Sequence, residues 1–180
     1  ISSPLNQWII NELISTTNKV DIHMSNYSFH EVANEIYHFI WHQYCDWYVE
    51  LSKSIFEKND KNSEETRLVA IFTFIEILKL IHPIMPFISE KLWSILTNND
   101  DLLINKKIFP FKEIGTYKNS QKLIRHLIKI ITGMRNLRSE LNIPYKKLIE
   151  IVIIDTNHKI IEFLNKYDNE GSIINSIMEI

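Results

Sequence analysis

SFHEVANEIYHFIWHQYCDWYVELSKSIF, residues 28–56, decides how this chain folds. The run holds neither proline nor glycine, and Phe29, Val32, Ala33, Ile36, Phe39, Ile40, Trp47 and Leu51 keep to one side of a 3.6-residue repeat. Ser28 stands at the N-cap position with Glu31 three residues on, the capping-box pattern. One long helix from Ser28 to about Phe56 is therefore expected.

The flanking segments read the same way. Upstream, PLNQWIINELISTTNKV (4–20) spaces Leu5, Trp8, Ile9, Leu13 and Val20 for a helix with Pro4 in its first turn, and SNYS breaks the pattern. Downstream, EKNDKNSEE is polar and aperiodic, a solvated linker. Thr66 then opens TRLVAIFTFIEILKLIH, apolar enough for burial on several sides. In HPIMPFISEKLW (82–93) the two prolines end that helix and restart another, making a corner that sends an apolar helix back against its neighbours.

Beyond TNNDD, LLINKKIFPF reads as an extended connection, and NSQKLIRHLIKIITGMRNLRSELNIP as a long helix closed by Pro144. KLIEIVII (147–154) is the one convincing strand, followed by the helix HKIIEFLNKY. The fold class is thus mainly α: a helical bundle over residues 1–145 with a small α/β region over 146–180.

Composition narrows the function. At 180 residues and 45% hydrophobic content the chain can bury a real core, and a net charge of −2 excludes a chain that is basic throughout. Cys45 is the only cysteine, which permits no internal disulfide and points to a reducing, cytoplasmic setting. No apolar run reaches the ~18 residues of a membrane span. The chain begins at Ile1 and stops within the apolar SIINSIMEI, as an excised piece of a larger protein does.

Three groups of residues bear on chemistry. His38 and His42, four apart with Glu35 and Asp46 alongside, have metal-site spacing, but Phe39 stands where a zincin places glutamate, so a solvated face is the better reading. Cys45, mid-helix beside Tyr44 and Trp47, reads as a small core residue. The glycines, Gly115, Gly133 and Gly171, build no phosphate-cradling loop.

The second group is cationic. Between Gly115 and Leu148 only Glu140 opposes Lys118, Lys122, Arg125, Lys129, Arg135, Arg138, Lys146 and Lys147. Lys118, Lys122, Arg125 and Lys129 step by four, three and four into one helical stripe, which suits either a nucleic-acid backbone or plain solvent. Arg138 falls inside the apolar side of that helix and Arg135 at its edge, so each needs a partner: an internal carboxylate such as Asp46 or Glu50, an RNA phosphate, or a neighbouring domain. The tryptophans form the third group. Trp41, Trp47 and Trp93 read as core; Trp8, near the amino end beside Asn11 and Glu12, is within reach of an edge where exposed rings stack on unpaired bases, although core packing is the better reading for any single tryptophan.

The order of NQWIINEL, YSFHEVANEIYHFIWHQYCDWYVELSK, HPIMPFISEKLW, MRNLRSELNIP and FLNKYDNEGSIINSIMEI resembles the anticodon-binding domain of the class I aminoacyl-tRNA synthetases, its valyl family most closely. FIWHQYCDWYVELSK carries most of that resemblance. It implies a helical bundle that docks the anticodon stem and loop of a valine tRNA, with ATP and catalysis belonging to other domains of the same polypeptide. No cofactor, metal or catalytic residue is expected in this piece, and a cytoplasmic monomer is. Under the resemblance Trp8, Asn11 and Glu12 are candidates for the anticodon face, and Arg135 and Arg138 for contacts or braces. The competing readings are the equivalent isoleucyl domain, a structural protein-interaction bundle, and a metal-dependent hydrolase built on His38 and His42.

Overall fold

The computed structural model describes residues 1–58, 60–98, 101–108 and 117–144. Helices α1 (Pro4–Ser25), α2 (Phe29–His38), α3 (Glu50–Phe56), α4 (Lys61–Ile81), α5 (Pro86–Thr97) and α6 (Lys118–Glu140) are joined by a π-helical segment at Phe39–Val49 and a 3₁₀ turn at Leu103–Asn105. There is no strand among the described residues, and the strand expected at 147–154 lies outside them, as does the 146–180 region.

Helix α1 is the central member. It buries Leu5, Trp8, Ile9, Ile10, Leu13 and Val20 and packs against α2, the π segment, α4 and α6. Ile124, Leu127, Ile131 and Met134 close the core from α6. A smaller cluster of Leu78, Trp93 and Leu103 lies under the proline corner, where α4, α5 and the 3₁₀ turn meet.

The stretch 28–56 is continuously helical, but not uniformly α. Inward-facing residues step 32, 36 and 39, then 43/44 and 48, then 51, 52 and 55, so the spacing widens through the π segment. Pairing i to i+5 adds nearly one residue to each turn, so eleven residues fall behind an α-helix by about half a turn. Tyrosine hydroxyls hold this phase: Tyr44 donates to the Ala70 carbonyl at 3.0 Å and Tyr48 to Asn6 Oδ1 at 2.9 Å. Burial, with a smaller contribution from Cys45, pushes the Tyr44 phenol up to about 12.

Two expectations drawn from residue type are corrected. Trp41 is 52% exposed and not core, and Cys45 is exposed rather than buried. Phe29 and Ala33 also face out. The capping box does not form either. The Ser28 side chain makes no cap, its carbonyl takes the Glu31 and Val32 amides, and Glu31 pairs with His30 at 3.1 Å.

Helix α4 starts at Lys61 rather than Thr66, because the Asp60 carboxylate accepts the Ser63 amide at 2.8 Å and Ser63 Oγ donates back to the Asp60 carbonyl. It is not buried all round: Leu68 and Ile71 are exposed, while Thr66, Thr73 and Glu76 point inward. The proline corner forms as expected, with Pro86 opening α5. His82 Nδ1 meets Ser89 Oγ at 2.8 Å, and the Glu90 carboxylate takes the amides of Leu103 and Ile104, so the corner's polar residues tie it to the 3₁₀ turn.

Glu65 does for α1 what no local side chain does. Its carboxylate accepts the amides of Ser2 and Ser3, Ser2 Oγ and Asn6 Nδ2 between 2.8 and 3.1 Å, at the positive end of α1. Burial raises this group, but the hydrogen bonds from Asn6, Ser2 and Ser3 outweigh it and bring it from the usual 4.5 to about 2. A depressed folded value means stability that is full above pH 4.5 and lost as pH falls from there toward 2. Glu65→Gln should therefore cost about 1 kcal/mol at neutral pH, the low end for a partly solvated charged acceptor. In thermal melts, the gap between variant and parent should close between pH 4.5 and 2.

Candidate nucleic-acid interface

The cationic stripe is real and lies on the outer face of α6. Lys118, Lys122, Arg125 and Lys129 are all exposed, as is His126 between them. At 1.5 Å of rise per residue the four cations cover about 16 Å along one helix. A row of this kind meets a phosphate backbone through point charges and carries little sequence information.

What holds the row in place is Glu12. This residue is 5% exposed, and its carboxylate accepts from Arg125 Nη2 at 3.0 Å, Gln121 Nε2 at 3.1 Å and Gln43 Nε2 at 3.3 Å. A carboxylate so deeply buried is tolerable only when its lone pairs are filled, and here α6 and the π segment both fill them. Arg125 is anchored at one end and still 59% exposed at its side chain, so it serves Glu12 and the surface together. Next to it, Asn11 Oδ1 accepts the Tyr117 amide at 3.2 Å, just before α6 begins, and Ser120 Oγ donates to Gln7 Oε1.

Three residues expected on a base-reading face thus occupy a different place. Trp8 is 2% exposed inside the core, Asn11 is 8% exposed, and Glu12 is the hub just described. Asn11 and Glu12 point into the junction between α1 and α6, because α6 covers the side of α1 that the sequence leaves looking free. The structure brings Glu12 and Arg125 together and sets Lys122 and Lys129 outward.

The two inner arginines find partners of another kind than Asp46 or Glu50. Arg138, 8% exposed, donates to the Pro144 carbonyl at 2.6 Å, while its own carbonyl accepts the Ile143 amide, so it fastens the chain leaving α6. Arg135 lies over the Trp47 ring, 5.4 Å from its centroid, a cation–π contact that joins α6 to the π segment. Asp46 instead meets His42 Nδ1 at 3.2 Å and Glu50 meets Lys53 at 2.7 Å. Among the described residues no three His, Cys, Asp or Glu side chains gather to hold a metal ion, and no helix is long and apolar enough to cross a membrane.

Sequence reasoning missed one surface. Tyr37 and Trp41 are 61% and 52% exposed, their rings parallel within 4° and 6.5 Å apart between centroids. Their i, i+4 spacing and their place off the apolar stripe are legible, but reading tryptophan as a core residue hides them.

A helical bundle with a solvent-facing cationic helix braced from within has a face suited to a polyanion. A family profile described as the anticodon-binding domain of tRNA ligase matches residues 6–153, and the chain belongs to that family. Among its relatives, the valine–tRNA ligase of Zymomonas mobilis is 39% identical over 143 residues, 77% of this chain and 16% of that protein. Those of Pelagibacter ubique and Legionella pneumophila are each 35% identical, over 88% and 92% of this chain and 18% and 19% of theirs. The chain spans less than a fifth of the length of these relatives.

Removing the hub tests the geometry. Glu12→Ala should cost about 1–3 kcal/mol in urea unfolding, the range for losing charge-assisted hydrogen bonds in a part-buried site. Glu12→Gln should cost less, since one oxygen still accepts.

Proposed function

We propose that this chain is the tRNA-docking module of a valine–tRNA ligase, gripping the anticodon arm while ATP-dependent activation and transfer of valine occur in domains outside it. The observation that carries this reading is the exposed row Lys118, Lys122, Arg125 and Lys129, pinned through Arg125 to a buried carboxylate, in a chain of the anticodon-binding family. The names and identities of the relatives support valine as the amino acid. Partners are then valine tRNA and the rest of the ligase, working as a monomer in the cytoplasm.

The physical division of labour follows from RNA structure. A duplex stem offers shape and phosphate, and unpaired loop bases offer faces and edges. Cations on a rigid helix supply the first, at long reach from the reacting end, and help orient the acceptor.

Titration of the chain with valine tRNA and with an anticodon-altered version, each at two salt concentrations, tests this. Binding should favour the unaltered anticodon. Lys122→Ala with Lys129→Ala should weaken both RNAs by a similar factor and shrink the salt slope by about 0.7–0.9 for each phosphate left without its cation. A chain that ignores valine tRNA even in dilute buffer ends the proposal.

A further inference from the structure

Attraction between opposite charges does not explain why an acid stands beside the cationic row. The Glu12 carboxylate lies 3.0 Å from Arg125 Nη2, close enough to offset part of the charge that the row presents. In a row that worked by net charge alone, this carboxylate would only weaken the hold on a polyanion. Its burial points to another use. At 5% exposure Glu12 is fixed by donors from two elements besides its own, Gln121 and Arg125 on α6 and Gln43 on the π segment. Its oxygens therefore have a single place to be.

Arg125 differs for that reason from the cations around it. Lys118, Lys122 and Lys129 are exposed, and among the described residues none of them pairs with an acid. Each is a point charge on a flexible stem, and holding a phosphate freezes a side chain that was free, at a cost of up to about 2 kcal/mol. The Arg125 side chain has already lost that freedom on folding. Its Nη2 bond to Glu12 sets the plane of the guanidinium, and 59% of the side chain still meets solvent. It makes no other hydrogen bond among the described residues, so Nη1 and Nε keep their N–H groups for a second acceptor. A planar fork can serve a carboxylate along one edge and a phosphate along another. A lysine drawn onto Glu12 would carry its whole charge inward.

The surroundings hold this fork in register. Asn11 takes the Tyr117 amide and Gln7 takes the Ser120 hydroxyl, so the start of α6 is latched to α1 within two turns of Arg125. Rolling α6 to carry the guanidinium elsewhere breaks these bonds together with those to Glu12.

We propose that Arg125 is the fixed phosphate clamp of the row and that Glu12, without touching RNA, is its positioning residue. This rests on the tRNA-docking reading and adds a division of labour within it. The lysines supply attraction at no fixed point, and the Glu12–Arg125 pair sets which phosphate of the RNA sits where. An acid then strengthens the hold on a polyanion, because preorganising one cation outweighs the charge it offsets.

The test uses the chain and a set of valine-tRNA anticodon stem-loops, each with one phosphate replaced by an uncharged methylphosphonate. For the parent, replacement at one position should stand out, weakening binding about 5- to 10-fold, a modest value for a charge-assisted bond in a half-solvated place. Arg125→Lys keeps the charge but should erase that peak and bind the unmodified stem-loop about 5- to 10-fold more weakly. Glu12→Ala should erase the peak with Arg125 still present, and should cost nothing further when added to Arg125→Lys. Lys122→Ala should weaken every stem-loop and keep the peak. Melting curves establish that each variant is folded at the assay temperature; if Glu12→Ala is not, Glu12→Gln takes its place, with the peak lowered. A flat profile in the parent, or a peak that Arg125→Lys leaves intact, overturns the clamp and leaves tRNA docking standing. Glu12→Ala that binds more tightly, or that weakens all stem-loops alike and keeps the peak, overturns the positioning role, the second result by showing a structural one. A parent chain that binds no stem-loop sinks both proposals.

Discussion

One buried oxygen sets the geometry of everything else. Asn6 Oδ1, on a residue with no exposed surface, accepts the Tyr48 hydroxyl at 2.9 Å, while Asn6 Nδ2 donates to Thr66 Oγ1 at 3.1 Å and to Glu65 at 3.0 Å. Tyr48 also reaches the Thr66 carbonyl, and Thr66 Oγ1 in turn donates to the Asn62 carbonyl. Burial, above all, drives the Tyr48 phenol far up, so the group is a neutral donor at every physiological pH. A polar knot of this kind in an apolar core is tolerable only if every member is satisfied, and so it admits one arrangement of α1, the π segment and α4. Apolar residues alone tolerate sliding by a turn. These amides and hydroxyls do not.

From that knot the surface follows. With Tyr48 fixed inward, the wider π turns place Gln43 and Trp47 toward α1 and α6, where they meet Glu12 and Arg135, and leave Trp41 and Cys45 outside. The same α1 that supplies Asn6 supplies Gln7 next to it and Asn11 and Glu12 one to two turns further on, and these receive α6. The interior polar contacts and the outward cations are thus parts of one mechanical chain, running from a tyrosine hydroxyl to a lysine row.

Most of the architecture is legible in periodicity and prolines. Helices α1, α5 and α6 lie where apolar spacing, Pro4, Pro86 and Pro144 place them, and the corner at His82 has the expected shape. The departures have physical reasons that a 3.6-residue template cannot contain. Trp41 and Cys45 stand off the apolar stripe even in α phase, and only their residue types point inward; what the template misses is the inward turn of Tyr44 and Tyr48, which run at π phase. It also hides the start of α4, because Asp60 and Ser63 cap a helix inside a stretch whose polarity looks like a linker. For the site, the lysine row is readable from spacing alone, but the places of Trp8, Asn11 and Glu12 are not. Their polarity and position near one end point outward, and only the seating of α6 over α1 makes them interior.

The placement of Glu12 explains how a chain with a net charge of −2 can present a cationic face at all. A surface acid beside Arg125 cancels the row's field in solution, whereas the same acid drawn beneath the helix anchors Arg125 and keeps its charge away from whatever approaches from outside. Lys118, Lys122 and Lys129 then define the potential that a phosphate meets first. Elsewhere Glu76 is held inside the bundle by Lys79, and Glu90 is tied to the amides opening the 3₁₀ turn. Screening beyond about 10 Å at ordinary salt finishes the separation, so the polyanion meets the near row and not the distant acids. Charge balance over the chain and charge at the interface are thereby independent quantities, and burial of a single carboxylate is what separates them.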